Sequence, residues 1–394
     1  LGIDVIVTDH HDMGDTFPEC VALITPKRFD STYPFSHLCG AGVVFKVIHA
    51  LYLEQNIPWE LHLWKYIEFA AIGTIADMVP LIDENRSIAS LGLRKLNANP
   101  SAVFETMLSM VKAENWITSS TIGFRIAPVF NASGRIGDPN ISVRLLTGES
   151  TSPLIIQELI SNNEKRKQMT FEQMRIADSF IIDKKLYKDP IIVVDGDFHD
   201  GLIGLISARI SQKYKKASIV ISSNGKGSAR SIPNSSFSII EAIISCQHLL
   251  KRFGGHPGAA GLSIDLTSVE LFRKQIQKAY DLQSFSQVDH SYDSIIAIKQ
   301  FPSTLLDELK MLEPCGMGNP QPVFLSPFTY IRSADVFGRY DKHLKLSIDQ
   351  YRAFSFMKGD QLSLIQENKF INLLYSASNK HEFIVHELLT KIPS

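Results

Sequence analysis

Ile3-Asp4-Val5-Ile6-Val7-Thr8-Asp9-His10-His11 is the stretch whose reading decides the fold. Ile3–Val7 is apolar and β-branched enough to read as a buried strand, and it runs directly into an aspartate and two histidines. A central strand needs neighbours on both sides, and in open α/β sheets the carboxyl ends of strands form the ligand crevice. Asp9, His10 and His11 should therefore converge on whatever is bound. Carboxylate and neutral imidazole suit Mn²⁺, Fe²⁺ or Zn²⁺, and carboxylate-rich sites accept Mg²⁺. A loop aspartate beside two surface histidines is the plainer alternative, and the tripeptide alone leaves it open. Because residue 1 is Leu and a central strand begins almost at once, the reading expects a fragment.

A second cluster follows at Gly73-Thr74-Ile75-Ala76-Asp77-Met78-Val79-Pro80-Leu81. Here a carboxylate sits in an apolar run, where burial is costly unless the group is paired or ligates a metal. A helix-capping aspartate is the competing explanation.

Outward from these clusters, the first 150 residues alternate short strands with helical periodicity, the pattern of an α/β sheet. Val21–Ile24 reads as a strand, and Gly42–Glu54, Leu61–Ile72 and Asp83–Leu96 read as helices, the last with acids at its start and bases near its end. Residues 151–187 read as a long connecting helix. A second, smaller α/β domain over 188–266 follows, with strands at Ile191–Val194 and Ala217–Ile221 and helices at Leu202–Lys213 and Phe237–Leu250. Beyond it, over 267–394, come helical segments at Val269–Leu282 and Leu305–Leu312. Close-spaced strands then follow at Tyr330–Val336, His343–Ile348, Ala353–Phe356, Phe370–Ser376 and Glu382–His386, which suggest a small β-barrel such as an OB-fold.

Composition sets few limits but useful ones. Hydrophobic residues at 44% and charged residues at 21% fit a soluble globular chain long enough for several cores. The apolar runs Ile67–Ile75 and Ile239–Ile244 are too short to span a bilayer, and no secretion signal opens the chain. Cys20, Cys39, Cys246 and Cys315 are widely separated, which argues against a zinc knuckle or a disulfide framework and fits a cytoplasmic protein. Net charge is only −1, yet Leu205–Arg252 holds Arg209, Lys213, Lys215, Lys216, Lys226, Arg230, Lys251 and Arg252 against Glu241 alone. Such a stretch either holds a phosphate backbone or is a solvated face, and charge alone leaves both readings open.

Together, the Asp9-His10-His11 and Asp77 clusters resemble the DHH phosphoesterase superfamily, and the rest of the chain narrows the resemblance to the RecJ exonuclease family. Pro128-Val-Phe-Asn131-Ala-Ser-Gly134-Arg135 resembles the family's Pro-Arg-x-Asn-Ala-x-Gly-Arg signature. Phe198-His199-Asp-Gly-Leu-Ile-Gly204 is similar to its Trp-His-Pro-Gly-x-x-Gly. Gly227-Ser228-Ala229-Arg230-Ser231 and Arg252-Phe253-Gly254-Gly255-His256-Pro-Gly-Ala-Ala260-Gly261 match the DHH-associated domain. Leu312-Glu-Pro-Cys-Gly-Met-Gly-Asn-Pro-Gln-Pro-Val-Phe324 is similar to the entry to the RecJ OB domain. The order is right over essentially the whole chain, and the combination is highly specific.

The resemblance implies a two-lobed α/β fold. It has a parallel-sheet DHH lobe (1–150), a connecting helix (151–187), a smaller α/β DHH-associated domain (188–266) and a C-terminal OB β-barrel with a helical lead-in (267–394). It implies a 5′→3′ exonuclease that hydrolyses single-stranded DNA with two Mn²⁺ or Mg²⁺ ions, acting in repair and recombination. The implied protein partners are a single-strand-binding protein and a helicase, around a monomeric enzyme.

His10 and Asp77 would ligate metal, His11 would stabilise or protonate at the scissile phosphate, and Asp9 would orient the histidine pair. Asn131, Arg135, Ser228, Arg230, Gly254, Gly255 and His256 would hold the strand. Tyr330, Phe337, Arg339, Lys342 and Lys345 are the OB candidates for stacking and phosphate contact.

Three departures stand out. Val129 replaces an arginine, Asp197-Phe198 replaces Gly-Trp, and Asp200 replaces proline. The family's first two aspartate motifs occur nowhere in the 394 residues. The reading places them before Leu1 and expects this chain by itself to be inactive. Two other classes compete: a phosphodiesterase for small nucleotides, which the OB-like extension argues against, and a non-catalytic single-strand-binding scaffold, which the retained His10, His11 and Asp77 argue against.

Overall fold

β-Branched residues and helical periodicity sort as expected in the first hundred residues, though the boundaries move. The computed structural model describes residues 2–14, 17–113, 116–149, 153–286, 291–338, 341–379 and 381–391. Ile6–Thr8 (β1) pairs in parallel with Ala22–Ile24 (β2), Ile6 opposite Ala22 and Thr8 opposite Ile24. The strand expected over Ile3–Val7 is thus shorter and later. It is also not buried: Ile3, Val5 and Ile6 stand largely in solvent, because only β2 pairs with this strand among the described residues.

Gly40–Glu54 (α1) begins at Cys39, whose Sγ accepts the Gly42 N–H at 3.3 Å. The helix expected over Leu61–Ile72 is broken into short turns before Ile67–Ala76 (α2). Asp83–Ala98 (α3) follows, with Asp83 and Glu84 in its first turn and Lys95 in its last, as the helix dipole favours. α2 and α3 cross closely, since a Cβ on Gly92 would lie 2.1 Å from the Ala71 Cβ. Phe35, Leu38, Val43, Ile67, Ala70, Ala71 and Ile88 form the core beneath them.

The chain divides into two compact units, residues 1–127 with 290–394, and residues 128–289. The second unit begins within Ala127–Ile136 (α4) and continues through the long helix Pro153–Asp183 (α5). Its sheet contains Ile191–Gly196 (β3), Ala217–Ser222 (β4), Lys226–Arg230 (β5), Leu250–His256 (β6) and Ala259–Ile264 (β7), in the order β3-β4-β5-β7-β6. Only β3 and β4 run parallel, joined through the helix Ile203–Tyr214 (α6). The helix expected over Phe237–Leu250 is only Ile239–Ile244 (α7). Apolar spacing continues past Ser245, but Leu250 already opens β6. Ile191, Ile219, Ile221, Phe237 and Phe272 are fully buried on one side of the sheet, and Ile192, Val194 and Val220 pack against Ile181 and Ile206 on the other.

The C-terminal part of the first unit is one seven-stranded sheet. It runs from Ser294–Ile295 (β8) and Phe324–Tyr330 (β9) through Ser333–Phe337 (β10), His343–Ile348 (β11), Tyr351–Ser355 (β12), Phe370–Asn379 (β13) and Glu382–Leu389 (β14). The strand expected over Tyr330–Val336 is β10 over its second half, but it starts later, because Ile331 and Arg332 form the bend that separates it from β9. There the N–H groups of Ile331 and Arg332 donate to Lys369 and Ser347. In the order β10-β11-β12-β14-β13-β9-β8, β9 and β10 are successive stretches of one chain, so the sheet curls back on itself. Leu344, Ala353, Leu373, Tyr375, Phe383 and Ile365 fill its interior. Among the described residues no helix is long and apolar enough to cross a membrane.

Candidate active site and phosphate-binding residues

In the first unit, the turn after β1 is organised by one carboxylate. Asp9 Oδ1 accepts the N–H of His10 (2.7 Å), the N–H of His11 (3.2 Å) and Nδ1 of His11 (2.7 Å). The bond from His11, aided by the two backbone donors, holds the Asp9 carboxyl below the usual range. Asp9 in turn is tied to the sheet by its N–H, which donates to Ile24. The His11 side chain is 77% exposed, whereas the His10 side chain is mostly enclosed. The two rings lie 4.4 Å apart.

The C-terminus of α2 brings Asp77 to the same place. Its Oδ2 lies 3.5 Å from Nδ1 of His10. This approach depends on a tight crossing of α1 and α2: a Cβ on Gly73 would sit 2.5 Å from the Ala41 Cβ, and the Cys39 Sγ meets the Thr74 hydroxyl at 3.5 Å. Asp77 is not a buried carboxylate as its apolar neighbours suggested. It ends the helix, is followed by Met78 at φ +60°, and is 44% exposed.

Two donors each about 2.1 Å from one cation stand roughly 3.0–3.4 Å apart, so the His10–Asp77 pair fits a divalent ion with little movement. Among the described residues no group of three or more His, Cys, Asp and Glu side chains gathers in metal-holding geometry. The chain's own visible contribution is this pair.

The second unit holds the other residues singled out by sequence. On α4, Asn131 and Arg135 face solvent, whereas Val129, which departs from the arginine of the signature it resembles, is buried at 3% exposure. Arg135 Nη1 donates to the Gly201 carbonyl at 3.3 Å. Gly201 has no room for a side chain, because its Cβ would lie 2.0 Å from the Arg135 carbonyl oxygen. His199 Nδ1 accepts the Gly201 N–H, and Asp200 pairs with Lys226 at 3.0 Å, which shapes the same loop.

On β5 the side chains alternate, with Gly227 and Ala229 buried and Ser228 and Arg230 half-exposed on the opposite face. The first turn of α6 lies against them: a Cβ on Gly204 would be 3.2 Å from Ser228 Oγ and 3.4 Å from Arg230 Nη2. Burial, and then the charge of Arg135, lower the Arg230 pKa. Burial does the same to Arg209 and Arg166, the latter also through Arg135 and Arg209. Partly desolvated guanidiniums that repel one another, with none in an ion pair with a carboxylate among the described residues, form a natural seat for phosphate.

Arg166 was not legible as part of this group, since nothing in the α5 sequence marks it. The basic stretch does not survive as one surface. Lys213, Lys226 and Lys251 pair with Asp178, Asp200 and Asp265.

Gly254 and Gly255 lie within edge strand β6 rather than in a turn; the turn is Pro257-Gly258. Gly255, at φ +152°, has the Ala259 oxygen 2.4 Å from where a Cβ would be, while Gly254 opens on free space. His256 is exposed, its Nδ1 accepting the Gly258 N–H. In the first unit, Lys345 lies on β11 and Tyr330 and Phe337 at strand ends, while Arg339 lies outside the described residues.

Family models match three parts of the chain. Residues 1–74 match the DHH family N-terminal domain, 188–281 the DHHA1 domain and 292–382 the RecJ OB domain. These modules are those of a DHH-family chain that also carries a RecJ OB domain. Over most of its length the chain is similar to RecJ proteins.

It is 32% identical over 376 residues to the single-stranded-DNA-specific exonuclease RecJ of Bacillus subtilis, covering 91% of this chain and 47% of that protein. It is 29% identical to the Thermus thermophilus RecJ, covering 95% of this chain and 54% of that one. Among solved structures, RecJ from Thermus thermophilus in complex with Mn²⁺ superposes with a TM-score of 0.81 at 26% identity, covering 99% of this chain and 59% of that one. Exonuclease RecJ bound to manganese gives 0.58 at 28% identity, covering 72% and 71%. The chain spans about half the length of the first curated relatives it matches.

Proposed function

We propose that the whole protein is an exonuclease that hydrolyses single-stranded DNA from its 5′ end with Mn²⁺ or Mg²⁺. The observation that carries this reading is the His10–Asp77 pair beside an Asp9-oriented His11, at the carboxyl end of a parallel strand. Relatives curated as single-stranded-DNA-specific exonucleases, and a RecJ structure holding Mn²⁺, support it.

His10 and Asp77 hold the divalent ion. When bound, the ion neutralises charge on the phosphodiester and eases attack by water. Asp9 holds Nδ1 of His11 and orients its ring, so that His11 meets the phosphoryl oxygens or the leaving oxygen as an electrostatic stabiliser or proton donor. In the second unit, Asn131, Arg135, Ser228 and Arg230 bind phosphates, with Arg166 and Arg209 adding charge behind them. Gly254 and Gly255 let the strand approach the edge of the sheet, and His256 meets phosphate or sugar. The OB domain holds unpaired strand through aromatic stacking and cations. Substituting alanine at His10 tests the reading: nucleotide release from single strands should be lost while strand binding is kept, and retained release would overturn it.

A further inference from the structure

A strained bulge in the OB sheet carries an observation that the fold does not explain. Ser326 pairs with Leu373 and Thr329 with Ile371, so Pro327 and Phe328 together stand opposite Asn372. Phe328 sits at φ +46°, a conformation that bulky side chains avoid. Hydrogen bonds hold it there. Buried Asn372 accepts the Phe328 N–H at 3.0 Å and donates to the Leu389 carbonyl, and the Ser326 and Thr329 hydroxyls bond each other at 2.7 Å.

The ring so displayed is 71% exposed, so the strain returns no buried area. Folding alone would favour glycine or asparagine at this position. Beside it, Tyr330 and Phe370 are also exposed, with ring centroids 5.2 Å apart. These rings line a cleft of about 410 Å³ together with Lys299, Arg332 and Asp349. Lys299 and Arg332 are exposed and make no ion pair among the described residues. Flat apolar faces next to unpaired cations match a base and its phosphates better than an apolar peptide, which has no charge for the cations to meet.

We propose that this cleft binds an unpaired nucleobase of single-stranded DNA, stacked on Phe328 and the Tyr330–Phe370 pair, with neighbouring phosphates on Lys299 and Arg332. The proposal rests on the single-strand reading above and adds a specific site to it.

The test measures binding of labelled oligothymidylate, and of an abasic strand of equal length, to the whole protein and its variants. Phe328→Gly relieves the positive φ and should leave Tm unchanged or higher while weakening oligothymidylate binding roughly tenfold. Phe370→Ala should act in the same direction, and neither should alter binding of the abasic strand. Lys299→Ala and Arg332→Ala should weaken both strands and lower the salt slope by about 0.7 each. Arg230→Ala serves as the control for the wider reading. If Arg230→Ala weakens binding while Phe328→Gly and Phe370→Ala match the unmodified protein, the cleft is off the strand's path and an apolar peptide becomes its better occupant. If the unmodified protein binds neither strand, the single-strand reading falls and takes this site with it.

Discussion

Nδ1 of His10 and Oδ2 of Asp77 lie 3.5 Å apart, one from the turn after β1 and the other from the end of α2. Neither side chain has another ion-pair partner among the described residues, and the α1–α2 crossing at Gly73 fixes their spacing.

Asp77→Ala should therefore lower metal-dependent nucleotide release by more than about 100-fold and leave single-strand affinity within a factor of about two. Release rates and binding isotherms, measured side by side, check it. Equal losses in both would make Asp77 a structural cap.

Arg230 should behave in the opposite way. Its guanidinium is partly buried with no carboxylate partner among the described residues, so a phosphate is the expected counter-charge. Arg230→Ala should weaken binding and reduce the slope of log K against log salt by about 0.7, the share of one phosphate on a single strand. An unchanged slope would reassign Arg230 and this end of β5 as structural.

Gly201→Ala places a methyl 2.0 Å from the Arg135 carbonyl oxygen, a backbone atom that cannot move aside alone. We expect destabilisation by about 1–3 kcal/mol, with weaker DNA binding as Arg135 is displaced. Denaturant titration together with a binding assay separates the two effects; a variant as stable as the unmodified protein would contradict the packing described.

Glu313 links the OB entry to the first lobe. Its Oε2 accepts Ser119 N–H (3.3 Å), Ser119 Oγ (3.0 Å) and Cys315 N–H (3.2 Å), while the Leu81 N–H donates to Met317 and Gly316 presses on the Leu81 side chain. Glu313→Ala should cost roughly 1–3 kcal/mol in thermal or denaturant unfolding, because three donors lose a charged acceptor. Together these bonds make the Glu313–Met317 stretch a structural joint, and unchanged stability would exclude that role.

How far these features could be read in advance depended on their range along the chain. Asp9, His10 and His11 are adjacent in sequence, so a strand running into a carboxylate and two imidazoles was legible. The partnership with Asp77 was legible through the family resemblance, but its exposure was not, because that depends on where α2 stops. The helix read through to Leu250 ends at Ile244, since apolar spacing does not show where a helix gives way to a strand. The bulge at Pro327 and Phe328 was not legible, because it depends on Asn372, far along the chain. Arg166 was invisible because it joins Arg135 and Arg209 only when α5 is folded.

The most direct test of the central claim uses the whole protein with Mn²⁺ or Mg²⁺, single strands labelled at either end, and a blunt duplex. The account predicts that 5′-labelled single strands release labelled mononucleotide at once, that 3′-labelled strands shorten progressively, that the duplex is spared, and that His10→Ala stops all of it. Equal digestion of duplex and single strand, attack from the 3′ end, or full activity in His10→Ala would contradict it.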